Sequence, residues 1–164
     1  MTVLSPTMDD DAAVGLKLDA YLPYRLSVAS NAVSGLIARA YQDRFGLTIP
    51  QWRLICVLVE DGPLTQGAIV ARTGMDKVTV SRATQGLATR HLLARSEHHA
   101  DGRSHMLVLS REGERLYAEI SPLALAYEAA LIAGLAPVEV EQLKRLLHRL
   151  QTAAERLSGE AAPG

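Results

Sequence analysis

Aromatic side chains are scarce: they make up only 4% of the 164 residues. A core built around stacked rings is therefore excluded, and Leu, Val, Ile and Ala must supply it. Leu and Ala are strong helix formers, so a mainly helical protein is expected. Cysteine is nearly absent as well. The one thiol, Cys56, has no partner for an internal disulfide. It lies in the apolar run Trp52-Arg-Leu-Ile-Cys-Val-Leu-Val59, where it reads as a small buried hydrophobe rather than a redox centre. No apolar run approaches the length of a membrane span. The first residues are acidic rather than basic, so no signal peptide is expected and the site of action is expected to be a reducing cytoplasm. A formal net charge of -1 excludes a polycation that coats nucleic acid over its whole surface. No glycine-rich phosphate loop or Ser-His-Asp arrangement stands out. No catalytic residue and no cofactor are expected.

What is present is ordinary in bulk and informative in order. Hydrophobic residues make up 48% and charged residues 21%, enough to build one domain, or one domain with appended helices. Residues 1–15 are polar and acidic and read as a flexible tail. A short helical turn is expected near Leu16 to Leu22, with Pro23 as a boundary. Leu26, Val33, Leu36, Ile37, Ala40 and Tyr41 share one face of a helix from Tyr24 to Phe45 that Gly46 should end. Thr48 and Gln51 read as the capping box of the next helix, which should run to about Glu60 before the breaker Asp61-Gly-Pro63.

The stretch from Gly62 to Leu109 carries the functional signal. Thr65 can cap a short helix from Gln66 to Thr73, Gly74 can turn the chain, and Asp76 can cap a helix ending near Arg90. Two short strands, Leu92 to Glu97 and His105 to Leu109, flank the turn pair Asp101-Gly102. Helix, turn, helix and hairpin in this order predict a winged helix-turn-helix within a mainly α fold that has a small β-hairpin wing. On the second helix Val80, Ala83, Thr84 and Leu87 form the buried side, leaving Lys77, Thr79, Ser81, Arg82 and Gln85 to other faces. From Arg72 to Arg103 six basic residues stand against three acidic ones, a local excess of three positive charges in a chain that is slightly negative overall. Beyond the wing, Ser110 caps a helix that can extend to Ala133 with a bend near Pro122 and a stop at Gly134. Pro137 opens a final helix striped by Leu143, Leu146, Leu147, Leu150, Ala154 and Leu157.

Short polar side chains and Arg at the start of a recognition helix read base edges, Arg through paired bonds to guanine and Thr methyls against thymine. The candidate DNA-reading residues are Lys77, Val78, Thr79, Ser81 and Arg82. Thr65 and Gln66, at the start of the preceding helix, are candidates for holding a phosphate. Arg103 at the wing tip suits insertion into the minor groove, with Asp101 beside it to orient it.

These marks resemble the MarR family of bacterial transcription regulators: Gly46-Leu-Thr48 before Trp52, Gly62-Pro-Leu-Thr-Gln66, Asp76-Lys-Val-Thr-Val-Ser-Arg82, Leu92-Leu-Ala-Arg95, Asp101-Gly-Arg103 and Leu109-Ser-Arg-Glu-Gly113. The resemblance spans Tyr24 to Leu157. It implies a homodimer whose interlocking helices come from residues 16–46 and 111–158, around a winged helix-turn-helix over residues 47–110, with a tail over 159–164. It implies double-stranded DNA with a palindromic operator as partner, repression as the default, and release by a small-molecule effector. Tyr24, Arg25, Ser30, Asn31, Trp52 and Arg53 are the candidates for binding that effector, as aromatic and polar groups on helices bordering the family's pocket. The Leu22-Pro-Tyr-Arg-Leu26 start is similar to that of relatives answering aromatic acids or their coenzyme A thioesters.

Two features depart from the family pattern. His91 stands where Gly is usual before the wing, so it must take up a tight turn that favours Gly. The wing carries His98, His99 and His105 in place of Lys or Arg, which weakens phosphate contacts at neutral pH. A metal site is not expected there, because adjacent histidines on a strand point to opposite faces. The alternative function is a winged-helix module that binds protein and not DNA. Steep loss of DNA affinity with rising salt distinguishes the two.

Overall fold

A computed structural model describes residues 15–97 and 105–160. The expected N-terminal tail lies outside the described residues except for Gly15, and so do residues 161–164. The described chain divides into two compact units, Met1–Ile49 and Pro50–Gly164.

In the first unit a 3-10 turn, Leu18–Ala20, precedes α1, Leu22–Phe45. The sequence pattern places Pro23 outside this helix, whereas α1 takes it into its first turn. A first-turn N–H has no intrahelical acceptor, so proline gives up nothing there. Gly46 closes α1 with φ 61°, its N–H on the Gln42 carbonyl at 3.0 Å. Only Tyr41 and Phe45 of α1 are buried, and Leu22, Val28 and Val33 are exposed.

The second unit contains α2 (Ile49–Asp61, from its second residue), α3 (Gln66–Thr73), α4 (Lys77–Thr89), β1 (Leu93–Glu97), β2 (His105–Leu109), α5 (Arg111–Ile132) and α6 (Pro137–Glu160). The strands pair antiparallel from Leu93 opposite Leu109 to Glu97 opposite His105. Leu64 extends this wing by exchanging backbone bonds with Leu107, at 3.2 and 2.8 Å. The connection between α2 and α3 is thus stitched to the wing. The core of the unit comes from Leu54, Ile55 and Leu58 of α2, Ile69 of α3, Val80 and Leu87 of α4, Leu107 of β2 and Ile120 of α5. Each such aliphatic side chain contributes about 1.5–3 kcal/mol by leaving water. This is the mainly α, winged helix-turn-helix architecture expected from the pattern.

Capping chemistry sets most boundaries. The Thr65 hydroxyl accepts from the Ala68 N–H at 3.2 Å and starts α3, and Gly74 at φ 66° ends it. Asp76 starts α4 and Ser110 starts α5, each with its side chain on an amide three residues ahead. His91 adopts φ 56°, the one positive φ at a non-glycine residue among the described residues. That strained turn is held from outside: the Ser110 hydroxyl donates to the His91 carbonyl at 2.6 Å and accepts from the Gly113 N–H at 3.1 Å.

Two helix ends differ from expectation. α5 passes through Pro122 and stops at Ile132, with Ala133 rather than Gly134 as its right-handed cap. α6 continues through Gly159 to Glu160, because a glycine near a frayed end costs only about 1 kcal/mol of helix propensity. No residue of α6 is buried, and Leu143, Leu146, Leu147, Leu150 and Leu157 are all exposed. No single helix among the described residues is long and apolar enough to cross a membrane.

Candidate nucleic-acid interface

The first turn of α4 is held rigid. Asp76 accepts from the Thr79 N–H at 2.8 Å and from the Thr79 hydroxyl at 2.6 Å. These bonds, the hydroxyl's first and the amide's second, hold the Asp76 carboxyl below the usual carboxylate range. The other side of the helix is anchored by Val80, Ala83, Thr84 and Leu87, all buried as their spacing predicts. That leaves Lys77, Val78, Ser81, Arg82 and Gln85 exposed. Val78, Ser81, Arg82 and Gln85 fall at spacings of three and four, so they share one outward face.

Thr79 differs from the other candidates. Its hydroxyl proton is already donated to Asp76. What it can still offer a base is its methyl group and the acceptor lone pairs of its hydroxyl oxygen. Val78, 58% exposed at the start of α4, offers a larger apolar surface of the kind that meets a thymine methyl. Gln85 was not among the reading residues derived from sequence. Its position one turn beyond Ser81 and Arg82 was visible in the spacing, and its exposure now places it on the same face.

At the start of α3, Thr65 is half-buried and its hydroxyl caps the helix, while Gln66 is exposed. The Arg72 guanidinium ties α3 to the end of α2, with contacts of 2.8 Å to Asp61 and 3.2 Å to Glu60. Arg72 is therefore held away from a free cationic role, although it counted toward the local basic excess. Asp101 and Arg103, like His98 and His99, lie outside the described residues. Among the described residues no cluster of His, Cys, Asp and Glu could hold a metal ion.

Two cavities open in the second unit. One, of about 320 Å³, lies between α4 and the wing and is lined in part by Gln66, Ser81, Thr84 and Gln85. The Thr84 hydroxyl there is buried and has no hydrogen-bond partner among the described residues. The other, of about 460 Å³, lies at the base of the wing and includes Glu114 and Tyr117 of α5. The effector candidates divide between two helices. Tyr24, Arg25, Ser30 and Asn31 are exposed on α1, while Trp52 and Arg53 lie on α2. Trp52 is half-buried and stacks on Tyr117, with ring centroids 5.7 Å apart and 19° between planes. None of the six lines either cavity. Tyr117 had no sequence signal for a site, since helix periodicity alone does not show which α5 residue meets an α2 ring.

Cys56 is half-buried, and burial first, then the nearby Glu60 charge, pushes its thiol up to about 11. Such a thiol is protonated at neutral pH and is a poor nucleophile.

The comparisons with known proteins agree with this geometry. A family model described as the MarR family matches residues 45–104, the segment that holds α2, the helix-turn-helix and the first strand of the wing. The chain is 29% identical over 119 residues to the HTH-type transcriptional regulator YwoH of Bacillus subtilis, covering 71% of this chain and 86% of that one. A crystal structure of a MarR family transcriptional regulator from Silicibacter pomeroyi is similar with TM-score 0.73 and 31% identity, over 84% of this chain and 91% of that one. The structure of BpsR from Bordetella bronchiseptica, whose DNA binding is regulated by 6-hydroxynicotinic acid, is similar with TM-score 0.77 and 26% identity, over 84% and 97%. A helix-turn-helix whose second helix is capped by Asp76 and followed by a two-stranded wing, in a chain that aligns with these regulators over nearly their full length, makes this protein a member of the MarR family of transcription regulators.

Proposed function

We propose that the protein is a homodimeric repressor that binds a pseudo-palindromic operator and is released from it by a small aromatic or acidic molecule. The observation that carries the DNA-binding part is the exposed face of α4, with Val78, Ser81, Arg82 and Gln85 outward and the opposite face locked in the core. Arg82 pairs with guanine, Ser81 and Val78 discriminate neighbouring bases, and Lys77 holds a phosphate. Gln66 and the amides at the start of α3 set the register on the backbone, and Arg103 with Asp101 meets the minor groove.

Dimerisation is supported by the apolar stripe of α6, whose five leucines are exposed in the single chain. A continuous apolar stripe of that length on a soluble helix marks a surface meant to be covered. A two-fold axis would then place two α4 helices on successive major grooves, about 34 Å apart. Residues 16–46 and 111–158 serve the dimer in this reading, and residues 47–110 serve the operator. The effector part is supported by the similarity to BpsR. Tyr24, Arg25, Ser30, Asn31, Trp52 and Arg53 are its proposed contacts, with Arg25 or Arg53 pairing with a carboxylate. A ligand that binds better to the wrong spacing of the two recognition helices shifts the population away from DNA.

A footprint on the promoter beside the protein's own gene, at low salt and without ligand, tests the reading. A protected palindrome is expected, and Arg82→Ala should cost about 1–3 kcal/mol there while relaxing sequence preference. An Arg82→Ala protein with undiminished operator affinity would show that the reading face is misassigned.

A further inference from the structure

The cavity at the base of the wing has a chemistry unlike that of an acid-binding site. Its apolar walls include Leu58, Pro63, Val108 and Leu109. Among its lining residues Glu114 supplies the one carboxylate, and no Lys, Arg or His is present. Among the described residues Glu114 makes no ion pair and the Tyr117 hydroxyl makes no hydrogen bond. The two stand at i and i+3 on α5, on one side of the helix. The Tyr117 ring is backed by its stack on Trp52, so it forms a fixed wall rather than a loose flap. An anionic ligand entering here would meet a like charge with no cation to offset it.

We propose that this cavity is a second ligand site that takes a small aryl- or alkylammonium compound. The apolar body lies against Leu58, Pro63, Val108 and Leu109. The ammonium donates to the Glu114 carboxylate and to the Tyr117 hydroxyl oxygen. The site also sits where it can act. Pro63 is followed by Leu64, which exchanges backbone bonds with Leu107, and Val108 and Leu109 come next on the same strand. A body wedged between Pro63 and β2 bears on the joint that fixes the wing to the helix-turn-helix. That occupancy alters operator binding rests on the regulator reading above; that the cavity selects a cation does not.

The chain has a single tryptophan, and it stacks on a wall of this cavity, so its fluorescence reports on the site. Full-length protein is titrated with 2-phenylethylamine, 2-phenylethanol and phenylacetate at neutral pH, by fluorescence and by calorimetry. The amine should bind saturably and about tenfold more tightly than the alcohol or the acid, the scale of one charge-assisted bond. Glu114→Gln, an exposed position whose fold is checked by circular dichroism, should bring the amine down to the affinity of the alcohol. Equal binding of the three probes, preference for the acid, an amine preference that survives Glu114→Gln, or no saturable binding overturns the proposal. The titration needs no DNA. Operator binding by the ligand-free protein, measured separately, judges the regulator reading by itself.

Discussion

At the residue scale, Asp76 connects capping chemistry to function. Its two bonds to Thr79 are stronger to the ionised carboxylate than to the protonated acid, and its pKa is lowered for that reason. A depressed folded-state pKa means stabilisation that is present above the unfolded value and lost as pH falls through the folded one. Asp76→Ala should therefore lower stability at pH 7, as the loss of an N-cap does. The gap between variant and parent should close as the pH drops below about 4, which denaturant titrations over a pH series would show. A gap that stays constant down to pH 2 would contradict the cap. Thr84 presents the opposite case, a buried hydroxyl with no partner among the described residues. An isosteric valine removes the unpaired group and keeps the volume, so Thr84→Val should raise stability by about 1 kcal/mol. A loss of stability in the same titration would mean that the hydroxyl is satisfied in solution.

At the scale of elements, the turn between α4 and the wing depends on α5. His91 at φ 56° is held through Ser110, and the Leu92 carbonyl accepts from the Ser110 N–H at 3.1 Å. Gly113 lets α5 approach this joint. A Cβ added there would run into the Leu92 carbonyl and lie 3.2 Å from Leu109 Cδ2. Backbone cannot move aside cheaply, so Gly113→Ala should cost about 1–3 kcal/mol through overpacking. Gly86 makes the contrast, since a Cβ there meets only the movable amide end of Gln51. Thermal melts should rank Gly113→Ala well below Gly86→Ala; the reverse order would show that α5 does not press on the wing turn.

At the scale of the whole molecule, the exposed leucines of α6 are the surface that a second copy covers in the proposed dimer. A charge placed in the stripe should prevent its burial against a second copy. Leu147→Glu is expected to shift the protein from dimer to monomer in sedimentation. It should also reduce operator affinity about as far as the loss of one of two half-sites would, well over tenfold, without touching α4. A Leu147→Glu protein that remains dimeric and binds operator normally would place the dimer contacts elsewhere.

Local chemistry was legible without coordinates. Thr65, Gly74, Asp76 and Ser110 announce helix ends because a cap depends on residues three positions apart, and the structure places all four as read. The buried side of α4 was legible for the same reason, as helix spacing alone sorts Val80, Ala83, Thr84 and Leu87 to one face. The positive φ of His91 followed from its place before the wing. Pro23 inside α1 was misplaced because a proline signals a boundary without saying on which side of it the first turn begins. The cavity of Glu114, Tyr117, Leu58 and Pro63 lay beyond sequence reasoning, since α2, the loop after it, β2 and α5 contribute to it from distant stretches of chain. The stacking of Trp52 on Tyr117 and the engagement of Arg72 by Asp61 are likewise contacts of packing. Residue order thus determined the helix-turn-helix, its caps and the exposed face of α4, because those interactions span no more than a turn or two. Which side chains meet across elements was decided only when the core closed and brought them within reach.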